Sequence, residues 1–160
     1  GYQDIALVCG SRENLIEEEK ISGYFTAFRE RGIEINEDLI LETDSSRESG
    51  YNAFLEISER NIIPEAFIST RELTTIGLVE AIKMGGYFIP DDFAVVGYGD
   101  NILTSIIEPP LTVLSEPSAE LGRQSFYFLI QLINDQMDEQ KIKVLTPNLV
   151  IRESSISKYN

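Results

Sequence analysis

The stretch AFISTRE at residues 66–72, followed by the Gly pair at 85–86 and by FAVVGY at 93–98, decides the fold. Each apolar run ends at polar or glycine residues, which is typical of a buried strand. We expect Ser69 or Thr70 to cap a helix that runs to Met84 and stops at the two glycines. Two strands joined through a helix pair in parallel with a right-handed crossover.

The same unit precedes this stretch twice. The expected order is a strand at 4–10, a helix over 17–31, a strand at 39–41 and a helix from Ser46 towards Pro64. Within the first helix the apolar residues follow helical spacing, and Gly32 stops it; they are Ile21, Tyr24, Phe25 and Phe28. This alternation predicts an α/β fold with a doubly wound parallel sheet.

The pattern changes after Tyr98. We predict a loop over 99–108, a strand at 111–114 and a helix from Pro117 and Ser118 to Asn134. One face of this helix carries Leu121, Ser125, Phe128, Leu129 and Leu132. A polar loop at 134–140 and a final strand at 141–152 complete the prediction, and we expect the last residues to be frayed.

Charge and composition exclude several function classes. The chain has 160 residues, 27 Asp and Glu against 13 Lys and Arg, a net charge of -14, no His and one Cys. A chain this acidic repels the phosphate backbone of DNA. The absence of His removes the usual catalytic base and zinc ligand, and one Cys permits no intramolecular disulfide. We expect a binding domain rather than an enzyme, with no cofactor or metal and with Cys9 as a small buried apolar residue.

Targeting signals are not visible either. No apolar run approaches the roughly 20 residues of a membrane span, and the first residues do not form a secretory signal. The chain starts at Gly1, so we expect a processed product or a piece of a longer protein. A single cysteine is compatible with the reducing cytoplasm.

Several short motifs, taken together and in order, carry a family resemblance. They are Lys20–Tyr24, Glu48–Tyr51, Ile89–Asp92, Val95–Asp100, Pro109–Val113, Glu116-Pro117, Leu121-Gly122 and Arg152–Ser154. With this spacing, nearly the whole chain resembles the carboxyl-terminal part of the LacI/GalR family of transcription regulators.

The resemblance implies a periplasmic-binding-protein-like core of type I, in which two α/β subdomains enclose a small effector, usually a sugar or nucleobase. Closure of that core controls a helix-turn-helix domain that binds DNA and is not in this chain. The family pattern assigns residues 1–113 to the carboxyl-terminal subdomain, 114–145 to a crossover and a helix of the other subdomain, and 146–160 to a return strand and tail. Residues 114–117 and 145–149 would be the crossover strands at the hinge. The resemblance also implies a cytoplasmic homodimer.

Effector-binding candidates follow from the fold rule and from the resemblance. Open α/β sheets bind ligands at the carboxyl ends of their strands. The polar residues there are Ser11, Arg12, Asn14, Asp44, Ser45, Arg71, Glu72, Asp100 and Asn101. The resemblance adds Lys20, and we predict that the effector is bound by Asn14, Lys20, Ser45, Arg71, Glu72 and Asp100.

Three positions depart from the family pattern. Lys20 replaces a frequent Arg, Arg71-Glu72 replaces a common Asn-Asp pair, and Gly99 stands where the usual Asp follows the Gly-aromatic pair. These departures permit an altered sugar, an anionic ligand held by Arg71, or no effector.

Structural roles compete with the ligand-binding roles. Lys20, which follows Glu17, Glu18 and Glu19, is also compatible with a solvated cation on a helix face. Arg71 is equally compatible with pairing to Glu72 or Asp100, and Asp44 and Asp100 with capping of their turns.

The resemblance places a dimer interface on the helix after the third strand and on the loop before Pro109. The residues available there are Leu73, Ile76, Val79, Glu80, Ile102, Leu103, Ile106 and Ile107. We predict a twofold interface centred on Leu73, Ile76, Ile106 and Ile107. The alternative is that Ile106 and Ile107 pack inside the domain.

Two other functions remain open. A transport-type sugar-binding protein has the same fold, and a helix-turn-helix upstream would favour the regulator instead. An α/β enzyme would have to use Asp44, Glu72 and Asp100 as acid and base. That reading is the weakest, because no nucleophile, metal set or cofactor motif accompanies these carboxylates.

Overall fold

The computed structural model describes residues 2–60, 62–134 and 142–156. In chain order the elements are β1 Ile5–Cys9, α1 Leu15–Arg31, β2 Ile40–Glu42, α2 Arg47–Glu59, β3 Ala66–Ser69, α3 Glu72–Met84, β4 Ala94–Tyr98, α4 Ile102–Ile106, β5 Thr112–Ser115, α5 Ser118–Ile133 and β6 Asn148–Val150. Short 3-10 helices span Glu37–Leu39 and Glu153–Ser155.

The six strands form one sheet in the order β2-β1-β3-β4-β5-β6. The pairs among the first five strands are parallel, and β6 runs antiparallel to β5. The predicted doubly wound parallel sheet is therefore confirmed, with an antiparallel strand added at one edge. Because all five parallel strands point the same way, their carboxyl ends meet along one edge of the sheet.

Helices cover both faces of this sheet, as the alternation of side chains along a strand requires. On one face, Ala6 and Val8 of β1 belong to the cluster that includes Phe54 of α2 and Leu78 of α3. On the other face, Leu7 belongs to a second cluster, formed with Cys9, Ile21, Tyr24, Phe28 and Ile40. Alternate residues of β1 thus serve two separate cores, and Cys9 is buried as predicted, with its pKa raised to about 11 mainly by burial.

The loop predicted between Tyr98 and Pro109 is partly wrong, because residues 102–106 form the short helix α4. Asn101 caps it by accepting hydrogen bonds from the backbone N–H groups of Leu103 and Thr104. The hydroxyl of Thr104 accepts from the N–H of Asn101 in return, which completes a capping box. The capping pattern was present in the sequence, but it precedes only one and a half turns of helix.

Two further predictions need correction. Neither Ser69 nor Thr70 caps α3, because the Thr70 hydroxyl donates to Glu17 and the Ser69 hydroxyl donates to the backbone oxygen of Arg71. Arg71 is the N-cap, and it makes no side-chain capping bond because a guanidinium has no acceptor. The final strand is shorter than predicted and spans Asn148–Val150, with residues 142–147 in irregular conformation. The predicted loop at 135–140, residue 141 and the tail at 157–160 lie outside the described residues.

Helix α5 stands apart from both cores, since none of its residues is buried. Its large exposed apolar side chains are Leu121, Phe126, Tyr127, Leu129, Ile130, Leu132 and Ile133. Across the described ranges, no helix combines the length and hydropathy needed to cross a membrane.

Candidate functional site

A cavity of about 590 Å³ opens at the carboxyl edge of the sheet. It is lined by Ser45, Arg71, Glu72, Leu73, Tyr98, Gly99, Asp100, Glu116 and Ser118. Four of the six predicted effector residues, Ser45, Arg71, Glu72 and Asp100, lie in this wall. They follow the ends of β2, β3 and β4, as expected of ligand loops in an open α/β sheet.

The other two predicted residues do not line the cavity. Asn14 caps α1, and its side-chain oxygen accepts a hydrogen bond of 2.9 Å from the N–H of Ile16. Lys20 lines an adjacent cavity of about 560 Å³ that shares Tyr98 with this one, and its ammonium lies 3.8 Å from the centre of the Tyr98 ring. The predicted residues thus fall into two groups. Ser45, Arg71, Glu72 and Asp100 line the cavity, and Lys20 belongs to a group of charged residues next to it, which we call the supporting layer.

Glu17 is the centre of that supporting layer, although its side chain is fully buried. Its carboxylate accepts hydrogen bonds from the N–H of Gly10 at 2.7 Å and from the hydroxyl of Thr70 at 2.5 Å. It also accepts from the ammonium of Lys20 at 3.1 Å. Burial alone would raise the pKa of Glu17, but these hydrogen bonds outweigh it and hold the pKa below its ordinary value.

Lys20 is therefore not a solvated cation, and it lies beside this cavity, in the wall of the adjacent one. Its ammonium donates to Glu17 and, at 3.0 Å, to the backbone oxygen of Thr70, so it links α1 to the end of β3. The sequence missed Glu17, because one Glu in a run of three on an amphipathic helix has no mark of burial. The helical phase of Ile21, Tyr24 and Phe28 was the only available signal, since Glu17 lies one turn before Ile21 on the same face.

Arg71 pairs with Glu17 rather than with Glu72 or Asp100. Its Nε lies 2.9 Å from Oε1 of Glu17, close enough for an ion pair, although the atoms are not aligned for a hydrogen bond. Its side chain remains one-third exposed, and Arg71 lines the cavity. Arg71 thus forms an ion pair, as its structural alternative required, but with Glu17 and not with Glu72 or Asp100.

Asp100 is held by a residue that was assigned to no site. The guanidinium of Arg152, just after β6, donates to Asp100 at 2.6 Å and to the backbone oxygen of Leu111 at 2.9 Å. Next to it, the Tyr98 hydroxyl donates to the carboxylate of Glu116, which follows β5. Burial and this carboxylate raise the pKa of Tyr98 to about 12, so the phenol keeps its proton.

Asp44 is a turn residue rather than part of the wall. Its carboxylate accepts a hydrogen bond of 2.9 Å from the N–H of Ser46. Hydrogen bonds from Ser46 and Ser49 hold the pKa of Asp44 at about 2. A carboxylate with this pKa stays ionised near neutrality. Beside it, Ser45 has a φ of 69°, in the left-handed region that residues other than glycine rarely adopt.

The residues predicted for a dimer interface divide into exposed and buried groups. Leu73 and Ile106 are exposed, with relative accessibilities of 52% and 69%, and Ile76 is half-buried. Ile107 packs partly against the main core. Two further candidates are engaged elsewhere: Val79 is fully buried, and Glu80 pairs with Arg47.

Comparison with known proteins gives consistent matches along the chain. A family model described as a periplasmic binding protein-like domain matches residues 1–155. The HTH-type transcriptional repressor PurR of Vibrio campbellii is 29% identical over 160 residues, which are 100% of this chain and 48% of that protein. The chain thus spans about half the length of the curated relatives it matches.

Solved structures agree with this match. The complex of the transcriptional regulator CelR with cellobiose has a TM-score of 0.90 and 29% identity, covering 97% of this chain and 47% of that chain. The lac repressor dimer bound to operator and the anti-inducer ONPF has a TM-score of 0.88 and 27% identity, covering 98% of this chain and 47% of that chain.

Proposed function

Since this chain belongs to the family of periplasmic binding protein-like domains, and its homologues are LacI-family transcriptional repressors, we propose that it is the effector-sensing half of such a regulator. The observation that carries this proposal is the cavity at the carboxyl edge of the sheet, lined by Ser45, Arg71, Glu72 and Asp100. These side chains offer hydroxyl, guanidinium and carboxylate groups to one small polar ligand.

We propose a sugar as the ligand. Carboxylates accept hydrogen bonds from sugar hydroxyls, and a guanidinium donates to them in a fixed planar geometry. CelR, one of the structural neighbours, is solved as a complex with cellobiose. A buried polar group left without its partner costs about 1–3 kcal/mol, which is how such a wall distinguishes one sugar from another.

The proposed domain division keeps residues 1–113 as the carboxyl-terminal subdomain, 114–145 as the crossover with a helix of the other subdomain, and 146–160 as the return strand and tail. The exposed apolar side chains of α5 support it, because they have no core to join in the part of the chain that the structure describes. The antiparallel pairing of β5 with β6 supports it too, since one strand leads out of the sheet and the other leads back.

Two contacts tie the cavity to those crossing segments. Glu116 holds Tyr98 just after β5, and Arg152 holds Asp100 just after β6. A ligand that contacts Tyr98 or Asp100 therefore also affects the hydrogen bonds that these residues make with Glu116 and Arg152, in the two segments that connect the subdomains. We propose that effector binding shifts the population between open and closed cores in this way, because the two states offer the ligand different contacts.

The other partners of the proposed regulator follow from its relatives. DNA binding belongs to a helix-turn-helix domain outside this chain. The net charge of -14 on this chain agrees with that assignment, because it repels the phosphate backbone. The regulator is proposed to be cytoplasmic and not an enzyme, since its homologues are repressors that act on DNA. The same homologues favour a regulator over a transport protein.

A ligand screen tests the proposed function. Full-length protein is heated with neutral sugars, sugar phosphates and nucleobases, one compound at a time. An effector present at about 100 times its dissociation constant adds about 2.7 kcal/mol of stability and raises the melting temperature. The Arg71→Gln variant should lose this shift, whereas Arg47→Gln, an exposed arginine paired with Glu80, should keep it. If no compound stabilises the wild-type protein, the proposed function is wrong.

We also propose a homodimer, as in the lac repressor dimer among the structural neighbours. Replacing Ile106 with Asp should shift the full-length protein from dimer to monomer in size-exclusion chromatography, because a charge enters an apolar twofold contact. Ile107 is unsuited to this test, since it packs against the main core. Ile63→Asp is the control, because Ile63 is 78% exposed between α2 and β3. An unchanged dimer in Ile106→Asp at micromolar concentration contradicts the proposed interface.

A further inference from the structure

Arg71 and Glu72 are consecutive residues of opposite charge, and both line the cavity. They do not pair with each other, because Arg71 is directed to Glu17. Among the described residues, no ion pair or side-chain hydrogen bond engages the carboxylate of Glu72. A charged acceptor that faces a cavity without a protein partner is available to a ligand.

The structure makes room for this carboxylate at Gly99. A Cβ atom added there would lie 2.8 Å from Oε2 of Glu72, too close for any side chain to be tolerated without displacing the carboxylate. Gly99 also has a φ of 88°, which disfavours other residues. The Glu72 carboxylate therefore packs directly against the backbone of the turn after β4, in the space that a side chain at position 99 would fill.

The charges around the cavity have a negative excess on the side of Glu72. The charged groups in the wall and directly behind it are Lys20, Arg71, Arg152, Glu17, Glu72, Asp100 and Glu116. Arg152 offsets Asp100, and Glu17 lies between Lys20 and Arg71. Because Lys20 and Arg71 share the single carboxylate of Glu17, these three residues carry a net charge of about +1. The carboxylates of Glu72 and Glu116 carry the remaining negative charges and exceed it. Like charges placed side by side disfavour binding, so an anionic ligand is penalised here.

We propose that Glu72 determines ligand specificity at this cavity: it accepts hydrogen bonds from the O–H or N–H groups of a hydroxyl-rich ligand without an anionic group, and it excludes the phosphorylated form of the same compound. The inference rests on the proposed function, since it concerns the ligand of that same site. Arg71 contributes donors to the ligand hydroxyls, and Gly99 keeps the Glu72 carboxylate in place.

Matched pairs of compounds test this inference on the full-length protein. The probes are glucose and glucose 6-phosphate, ribose and ribose 5-phosphate, and cellobiose and its 6-phosphate, each measured by thermal shift and then by calorimetry. In the pair that contains the best ligand, we expect the unphosphorylated member to bind roughly 10- to 100-fold more tightly. Glu72→Gln should weaken binding of that member about tenfold and narrow the discrimination within the pair.

Two further variants separate this role from a general effect of charge or folding. Gly99→Ala, which keeps every charged residue, should weaken binding in the same direction because it displaces the carboxylate. Its unfolding temperature without ligand is compared with that of the wild type, since a φ of 88° also strains an alanine backbone. Glu48→Gln removes one negative charge on the exposed first turn of α2 and should bind like the wild type.

The outcomes distinguish the two proposals. If the wild-type protein binds none of these probes and nothing in the wider screen, the proposed function fails and this inference with it. If a phosphorylated member binds more tightly than its partner, or if Glu72→Gln retains the wild-type affinity and discrimination, this inference alone is overturned.

Discussion

Replacing Glu17 with alanine is expected to lower the free energy of unfolding by about 2–4 kcal/mol, because it removes a buried carboxylate that accepts from two buried donors and pairs with two partly exposed cations. The variant leaves Lys20 and Arg71 without their shared carboxylate. It also leaves the N–H of Gly10 and the hydroxyl of Thr70 without an acceptor in a buried environment. Each of these groups then bears its desolvation cost without compensation.

Urea unfolding at neutral pH measures this loss. Glu18→Ala is the matched control, because the neighbouring Glu18 is exposed on the same turn of α1 and should change the free energy of unfolding by less than about 0.5 kcal/mol. Similar effects in both variants would show that Glu17 is no more than a surface carboxylate.

The pH dependence of the stability that Glu17 contributes has a defined sign, which the Glu17→Gln variant tests. Because the folded state holds the pKa of Glu17 below its ordinary value of 4.5, the ionised carboxylate stabilises the fold fully above that value. This contribution is lost as the pH falls through the lower pKa of the folded state. The difference in stability between the wild type and Glu17→Gln should therefore shrink on acidification. A difference that grows towards low pH would contradict the assignment.

Replacing Gly77 with alanine is expected to cost about 3 kcal/mol, at the upper end of the range for overpacked cores. A Cβ at Gly77 would lie 1.8 Å from the backbone oxygen of Arg47 and 2.9 Å from the backbone nitrogen of Tyr51. Gly50 mirrors this, since its Cβ would lie 2.1 Å from the backbone oxygen of Thr74. The helices α2 and α3 thus touch backbone to backbone, and neither contact has a flexible side chain that could move aside.

Gly23→Ala is the control for this prediction. Gly23 lies inside α1 and, among the described residues, no atom outside its chain neighbours and its own stretch of helix backbone lies within 4 Å of its Cβ position. Alanine there should raise the free energy of unfolding by about 0.5–1 kcal/mol, because glycine loses more backbone entropy in a helix. Thermal unfolding monitored by circular dichroism measures both variants. A Gly77→Ala protein as stable as the wild type would contradict the close approach of the two helices.

The strands and helices of residues 5–98 follow closely from local sequence patterns. The buried strand predicted at the start of the 66–72 stretch is observed at Ala66–Ser69, and α1 ends at Arg31 before a left-handed Gly32, as the glycine signal indicated. These predictions work because burial on one or two faces imposes a period of two or of 3.6 residues. Helix α4 was missed, since a single short turn with exposed Ile102 and Ile106 has no such period.

The candidate site was predictable only in outline. The rule that parallel strands bind ligands at their carboxyl ends located Ser45, Arg71, Glu72 and Asp100 before any contact was known. The partners of these residues were not predictable from sequence. Arg152 donates a hydrogen bond to Asp100, which lies 52 positions away in the chain, and Glu17 accepts one from Thr70, which lies 53 positions away.

By itself, the sequence determined the alternation of strands and helices, the doubly wound class, the family through the order of its motifs, and the edge of the sheet where the candidate cavity lies. Those properties follow from periodicity and chain order, which are local. Only the tertiary structure decided that Glu17 is buried while Glu18 is exposed, that Arg71 is drawn to Glu17 while Glu72 faces the cavity, and that Gly77 touches the backbone of another helix. These are properties of pairs of residues distant in the chain, and the free energy of each depends on the distance and desolvation that packing alone sets.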